Sequence, residues 1–274
     1  MRRGDFRAVD SLDSLLSNVR PMALAENQAH VDASARWVFQ GREVTLPVVV
    51  RDAGSIAATY LVSSDGARRL LADTDLDIVE LLPGRALFSI ACIDYRDNDL
   101  GDYNEVSLAF FVRERRAPRG IPYVGAAIDL ARNRLGTYIY KLPVNQSFTC
   151  EAGCGIWGFP KTVEEIEVSD AGDQRRFRLV MEGRHVLTFS ATRSGERALP
   201  DMPMETYSYI GGQLHKTRFT SGATGVAFRL GGADLILGDH PLACDLRSLG
   251  LPRRPLMTVS LGHQHASFGA AEPV

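Results

Sequence analysis

Lys161 follows Pro160 in Gly155-Ile156-Trp157-Gly158-Phe159-Pro160-Lys161-Thr162, an aromatic and apolar setting for an ammonium group. Proline fixes the backbone just before it and offers no N–H. Among 31 basic residues only Lys141, Lys161 and Lys216 are lysines. A chain that carries its positive charge on arginine has kept very few amines, and an amine, unlike a guanidinium, can lose its proton and attack a carbonyl to form a Schiff base. An ordinary lysine, with a pKa near 10.4, is almost wholly protonated at neutral pH. Bringing it near 7 takes about 4–5 kcal/mol, which burial in an apolar wall or an adjacent cation can supply. Such chemistry needs an enclosed interior and an acid–base partner.

Other reactive residues are more dispersed. In Tyr103–Arg113, Val106, Leu108 and Phe110 fall on one face of a strand, and Glu105, Ser107, Ala109 and Phe111 on the other. Glu105 therefore belongs to a face that is not plainly solvent, although an isolated carboxylate is a surface residue by default. Cys92, Cys150, Cys154 and Cys244 form no CxxC pair and read as buried free thiols. Of six histidines only His263 and His265 have the i, i+2 spacing of one strand face, and no third metal ligand is nominated. No metal and no cofactor are expected.

Composition narrows the function class. With 274 residues, 45% hydrophobic and 23% charged, the chain suits a soluble globular protein. A formal charge of −2 gives no basic field for nucleic acid. No apolar run reaches the ~18 residues of a membrane helix, and the basic start leads into an amphipathic stretch without an apolar signal core, which predicts a cytoplasmic protein.

The elements that must position Lys161 and Glu105 are mostly strands. Residues 1–41 read as a partly helical appendage, with a helix at Ser11–Val19, and 42–274 as a single β domain. Strands are predicted at Val44–Val50, Ala57–Val62, Arg85–Tyr95, Tyr103–Arg113 and Thr137–Val144. Further strands follow at Thr162–Val168, 205–220, 224–231 and Leu256–Phe268, with a hairpin over 174–192 turning at Glu182-Gly183. Short helices are expected at Ser64–Leu71, at Tyr123–Arg132 and within Gly238–Gly250. Without strand–helix alternation or a phosphate-binding loop, the pattern predicts a mainly β, antiparallel barrel with a few short helices and room for a small ligand.

The Gly158-Phe159-Pro160-Lys161 stretch resembles the motif of the acetoacetate decarboxylase family, in which E-x-x-[GA]-[YF]-P-K presents the Schiff-base lysine. Tyr103-Asn104-Glu105 resembles that family's Y-x-E segment, the 174–193 hairpin lies where the family has one, and Leu261-Gly262-His263 falls in its closing strand. The resemblance spans roughly residues 42–268. It implies a barrel- or cone-like β fold, a homo-oligomer and a small carbonyl substrate. Lys161 would form the imine and Glu105 would be the acid of the site. Arg51 would meet a substrate carboxylate, and Ser89, Trp157, Phe159, Thr162 and His263 would line the pocket.

The departures from the family pattern are specific. The lysine that follows the catalytic one in the decarboxylases is Thr162 here, the acid that opens the motif is Gly155, and a further acidic position falls at Ser89 or Ile90. Losing the neighbouring cation leaves desolvation to depress the Lys161 pKa, and losing the acids implies a roomier, less polar pocket. Two functions follow. One is a Schiff-base lyase on a keto acid or a larger polyketide-like or amino-acid-derived carbonyl compound, working by decarboxylation or by aldol, dehydration or cyclisation chemistry. The other is a non-catalytic small-molecule-binding barrel that kept the fold.

Overall fold

A computed structural model describes residues 36–117, 121–132 and 134–274. The helix expected at Ser11–Val19 lies outside these residues. Alternating apolar residues give long strands, and three of them, β3 (Val48–Ser63), β6 (Arg85–Asn98) and β7 (Tyr103–Glu114), stand side by side in antiparallel register. The sheet continues from β3 to β16 (Met257–Pro273), β14 (Gln213–Arg229) and β13 (Arg197–Ile210), then by a parallel step to β8 (Gly136–Val144). Pairing of β7 with β8 closes these seven strands into a barrel.

Shorter strands complete the barrel sheet. β4 (Leu76–Ile78) and β5 (Glu80–Leu82) pair with β7 and β6, and β9 (Lys161–Val163) extends β8. A second sheet is built of β10 (Glu165–Ala171), β11 (Gln174–Met181), β12 (Arg184–Thr192) and β15 (Ala233–Leu237). The helices are α1 (Ser64–Leu70), α2 (Val124–Ala131), α3 (Ser147–Trp157) and α4 (Pro241–Ser248). Residues 36–41, grouped by sequence with the N-terminal appendage, belong with 42–45 to a hairpin of β1 (Arg36–Phe39) and β2 (Arg42–Thr45). None of the described helices is long and apolar enough to cross a membrane.

The large sheet has two unlike faces. On one, Ile56, Tyr60, Phe88, Ile90, Leu108 and Phe110 pack against Phe177, Leu179 and Phe189 of the second sheet and against α1 and α4. The second sheet and these helices cover this face, so it is the outside of the barrel. The inside is the opposite face. There register aligns Ala57 with Ala91 and Ala91 with Ser107, and Thr59 with Ser89 and Ser89 with Ala109. These side chains are small, and all but Ala109 are only half-buried. At one end of the bore Leu61, Leu87 and Phe111 are covered by Ala126 and Leu130 of α2. At the other, α3 packs Phe148, Ala152, Ile156 and Trp157 over Ile139, Leu142 and Val144, with Trp37 and Phe39 of the hairpin beside them.

The expected strand boundary near 220–224 is absent, because Gly211 and Gly212, both at positive φ, turn the chain there instead and let β13 and β14 run as one long hairpin. The thiols differ from expectation too. Cys92 is buried, but Cys150 is half-buried and Cys154 and Cys244 are exposed, since the latter three sit on helices that cover the barrel rather than in its wall.

Candidate active site

Lys161 reaches the bore because the chain stops being helical just before it. Gln146 caps α3, its side chain accepting from Thr149 N at 2.6 Å. Gly158 ends the helix in the left-handed conformation, φ 64°. A Cβ there would lie 2.4 Å from the Tyr209 carbonyl, so the turn requires glycine. Phe159 and Pro160 then lead into β9, where Lys161 pairs in parallel with Leu142. Glu105 pairs with Val144, two residues further along the same strand, and with Ile93. Period-two geometry therefore places Lys161 and Glu105 on the inner face together.

Their side chains meet, with Lys161 Nζ 2.9 Å from Glu105 Oε2 and both side chains under 10% exposed (3% and 8%). The ammonium also donates to Thr149 Oγ1 at 3.3 Å and lies 5.0 Å from the centre of the Tyr103 ring. Tyr95 OH donates to Glu105 Oε1 at 3.3 Å, and the Tyr95 and Tyr103 rings stack at 4.4 Å. Against the barrel wall, the Lys161 stem lies across α3 at Gly153, where a Cβ would come within 2.6 Å of Cδ.

The electrostatics correct one expectation. Burial by itself pulls the Lys161 pKa down, as the apolar setting suggests, but the Glu105 carboxylate facing it outweighs burial and holds the ammonium above the ordinary lysine value. The Tyr95 hydroxyl is pushed well up, by burial first and then by the Glu105 charge. Tyr103 is raised by burial too, against the opposing pull of Lys161. The resting site is thus a closed ammonium–carboxylate pair flanked by two neutral phenols.

The remaining expected residues scatter. Ser89 lies on the inner face, two inward-facing positions along β6 from Ile93, the residue opposite Glu105. Trp157 and Phe159 stack at 5.6 Å beneath the lysine turn, and Trp157 Nε1 donates to Gly269 O, so they wedge α3 onto β16. Thr162 is exposed, its side chain directed opposite to that of Lys161 by strand alternation. Arg51 does not face the bore. A bulge in β3 turns it outward, half-exposed, onto Asp97 at 2.8 Å and Asp99 at 2.6 Å. His263 is 70% exposed and pairs with Asp52 at 3.0 Å, while His265 is bound to Asp201 at 2.6 Å. The two imidazoles thus have separate partners, and among the described residues no cluster is arranged to hold a metal ion.

Sequence reading missed Thr149, Tyr95 and Gly153. Of these, Tyr95 carried a signal, since it ends the strand that faces Glu105. The missing motif acid has a steric counterpart here. A Cβ at Gly155 would lie 2.7 Å from the Phe39 ring, so the hairpin occupies the room a larger residue would need. A surface cleft of about 530 Å³ runs beside Arg68, Arg113, Arg115 and Tyr123, away from the Lys161–Glu105 pair. Arg68 and Arg113 are there engaged by Glu80 at 2.6 Å and Asp129 at 2.5 Å. The buried pair, with its chemistry, is the stronger candidate.

Comparison with known proteins agrees with the fold. The family model described as acetoacetate decarboxylase (ADC) matches residues 40–257. No curated protein matches the chain. Among solved structures, acetoacetate decarboxylase from Legionella pneumophila subsp. pneumophila str. Philadelphia 1 superposes with TM-score 0.62 at 15% identity, covering 100% of this chain and 98% of that one. A second acetoacetate decarboxylase gives TM-score 0.57 at 17% identity over 83% and 89%. The enduracididine biosynthesis enzyme MppR complexed with pyruvate gives 0.55 at 17% identity over 84% and 91%. At these identities the likeness is one of fold.

Proposed function

The chain belongs to the acetoacetate decarboxylase family, and on that premise we propose that it is a Schiff-base-forming lyase acting on a keto acid or related carbonyl compound. The observation that carries the reading is the buried Lys161–Glu105 pair at 2.9 Å on the inner face of the barrel. In this reading the Lys161 proton passes to Glu105 as a carbonyl carbon approaches, and the freed amine attacks. Glu105 returns that proton to the departing hydroxyl, water leaves, and a protonated imine remains. The imine then draws electrons from the adjacent carbon, either as CO2 departs from a β-keto acid or as Glu105 removes an α-proton. The enamine is reprotonated at carbon by Glu105, which after loss of CO2 first takes that proton from water, and water hydrolyses the imine to restore the amine.

Tyr95 holds the second carboxylate oxygen, and Thr149 fixes the amine from the α3 side. Ser89, lining the bore, fits a role in substrate contact. MppR, a neighbour in fold, is complexed with pyruvate, a carbonyl acid, which supports the substrate class. A cytoplasmic homo-oligomer with no cofactor and no nucleic-acid partner completes the proposal, and sedimentation velocity checks its assembly.

The test is intact mass after borohydride reduction in the presence of pyruvate, acetoacetate and simple ketones, for the wild type and Lys161→Ala. An adduct of substrate mass in the wild type and none in the variant is expected. The second reading is a binding barrel without chemistry, which would need no free amine at Lys161. Ligands that raise the melting temperature without any reducible adduct would establish that reading and end the first.

A further inference from the structure

The bore behind Lys161 is built for something longer and less charged than a small keto acid. From Glu105 the inward-facing positions of β7 run through Ser107 and Ala109 to Phe111, and those of β6 from Ile93 through Ala91 and Ser89 to Leu87. On β3 they are Ser55, Ala57, Thr59 and Leu61. Between Ile93 at the lysine end and the Leu61–Leu87–Phe111 floor, these three strands therefore present methyl and hydroxyl groups, several only half-covered, with Ile139 of β8 beside Ala109. The four steps from Glu105 to Ala109 span about 13 Å at ~3.3 Å per residue, so the strip of small residues is elongated along the strands.

Charge points the same way. Among these inward-facing residues of β3, β6 and β7, Glu105 is the charged one, and Lys161 neutralises it at 2.9 Å. A carboxylate brought in beside buried Glu105 would meet a like charge in a poorly screened setting, with the ammonium already engaged. Arg51, the arginine nearest in sequence to the bore-lining stretch of β3, points outward and is held by Asp97 and Asp99. By contrast, a ketone oxygen needs only the Lys161 amine and a proton from Glu105. An alkyl or lightly oxygenated chain would lie against Ala91, Ala57 and Ser107 as apolar ligands lie in apolar pockets with few polar groups.

The geometry points to a neutral ketone or aldehyde bearing an extended chain as the substrate of this site, with enamine formation at the α-carbon in place of loss of CO2. This rests on the Schiff-base reading above. The step balances without any reagent but water: the carbonyl oxygen leaves as water, the nitrogen–carbon bond forms, and the α-proton goes to Glu105 and returns from it.

The experiment compares borohydride-trapped adduct on the wild-type chain for four probes at equal concentration, 2-nonanone, 2-butanone, pyruvate and acetoacetate. In D2O without borohydride, deuterium at the α-carbon reports the enamine. We expect at least tenfold more adduct from 2-nonanone than from either keto acid, α-deuteration of the ketone, and a tenfold lower ratio of 2-nonanone to 2-butanone adduct in Ala91→Phe. Ser107→Leu narrows the same channel and replaces that variant should it not fold. Keto acids that label as well as 2-nonanone would overturn the neutral-substrate inference and leave the imine standing. An unchanged 2-nonanone to 2-butanone ratio in a folded channel variant would overturn the seating of the chain. No adduct from any probe would overturn both this inference and the Schiff-base reading.

Discussion

Glu105 holds Lys161 charged, and that makes opposite demands on stability and on reaction. For stability, the Lys161 pKa is raised above its unfolded value. The contribution of the pair is therefore complete below about pH 10.4 and is lost only as pH climbs through the higher folded value. Thermal melts of the wild type and Lys161→Met between pH 7 and 11 should differ by a constant amount up to about pH 10 and converge above it. For reaction, the same raised pKa keeps free amine scarce, so the rate of borohydride trapping should climb with pH through 9 without levelling near 7 as a depressed lysine would. A plateau near neutrality would mean that Glu105 does not control the amine.

Removing the carboxylate tests the other half of the pair. Taking one partner from a buried ion pair costs about 3–5 kcal/mol when the survivor stays charged. Lys161 can instead release its proton into solvent, at about 1.36 kcal/mol for each pH unit between its pKa and the buffer. Glu105→Gln should therefore destabilise by about 2–3 kcal/mol, a fall of roughly 5–10 °C at ~2–4 °C per kcal/mol for a chain of this size. Turnover should fall by ~10²–10⁴, the usual worth of a positioned acid–base group, and trapping at pH 7 should slow with it, because Glu105 also serves the dehydration that forms the imine. Turnover and trapping both unchanged in Glu105→Gln would remove Glu105 from its assigned role.

At the scale of elements, the lysine is delivered by the way α3 ends. Gly158→Ala would set a methyl 2.4 Å from the Tyr209 carbonyl and hold a non-glycine residue at φ 64°. Each strain of that kind costs about 1–3 kcal/mol, so a loss of at least 2 kcal/mol in denaturant melts is expected, with imine formation falling alongside. Gly153→Ala should behave differently. Alanine favours the helix by ~1 kcal/mol, but its methyl would take the place of Lys161 Cδ, so trapping should slow at least tenfold with stability nearly unchanged. Equal losses of stability and trapping in Gly153→Ala would mean that the helix and not the lysine bears the clash.

These elements were unevenly legible in the sequence. Alternation gave β6, β7 and the 174–192 hairpin, because one face of each strand packs in a filled core and the other does not. It also put Glu105 with Ser107 and Ala109, the inner face. Nothing in period two or 3.6 marked Ser147–Trp157 as a helix, since Gly153, Gly155 and the small residues around them carry weak propensity, and the segment is held by tertiary packing on β8 and β16. The direction of the Lys161 pKa was misread for a related reason. Desolvation is visible in neighbours along the chain, whereas the countercharge comes from a strand 56 residues away in sequence.

For the whole molecule, the decisive contrast is between a packed exterior core and a barrel interior that β3, β6 and β7 line with small, half-buried residues. Phe88, Phe110, Phe177 and Phe189 are fully buried where the two sheets meet, and Phe177→Ala should cost about 3–5 kcal/mol, as truncation of a packed aromatic does. Enlarging a residue in a filled core also costs about 1–3 kcal/mol. Ala91→Leu, on the inner face, should instead change stability by less than about 1 kcal/mol, because the added methyl groups enter space that the half-buried Ser89, Ala57 and Ser107 leave open. Equilibrium urea melts of the two variants measure both quantities without any substrate. A penalty for Ala91→Leu as large as that of an overpacked core would mean that the bore is filled by protein. A small one means that the chain maintains, between two well-packed ends, a channel leading to a buried amine, and a fold that spends its stability elsewhere keeps such a space for a ligand.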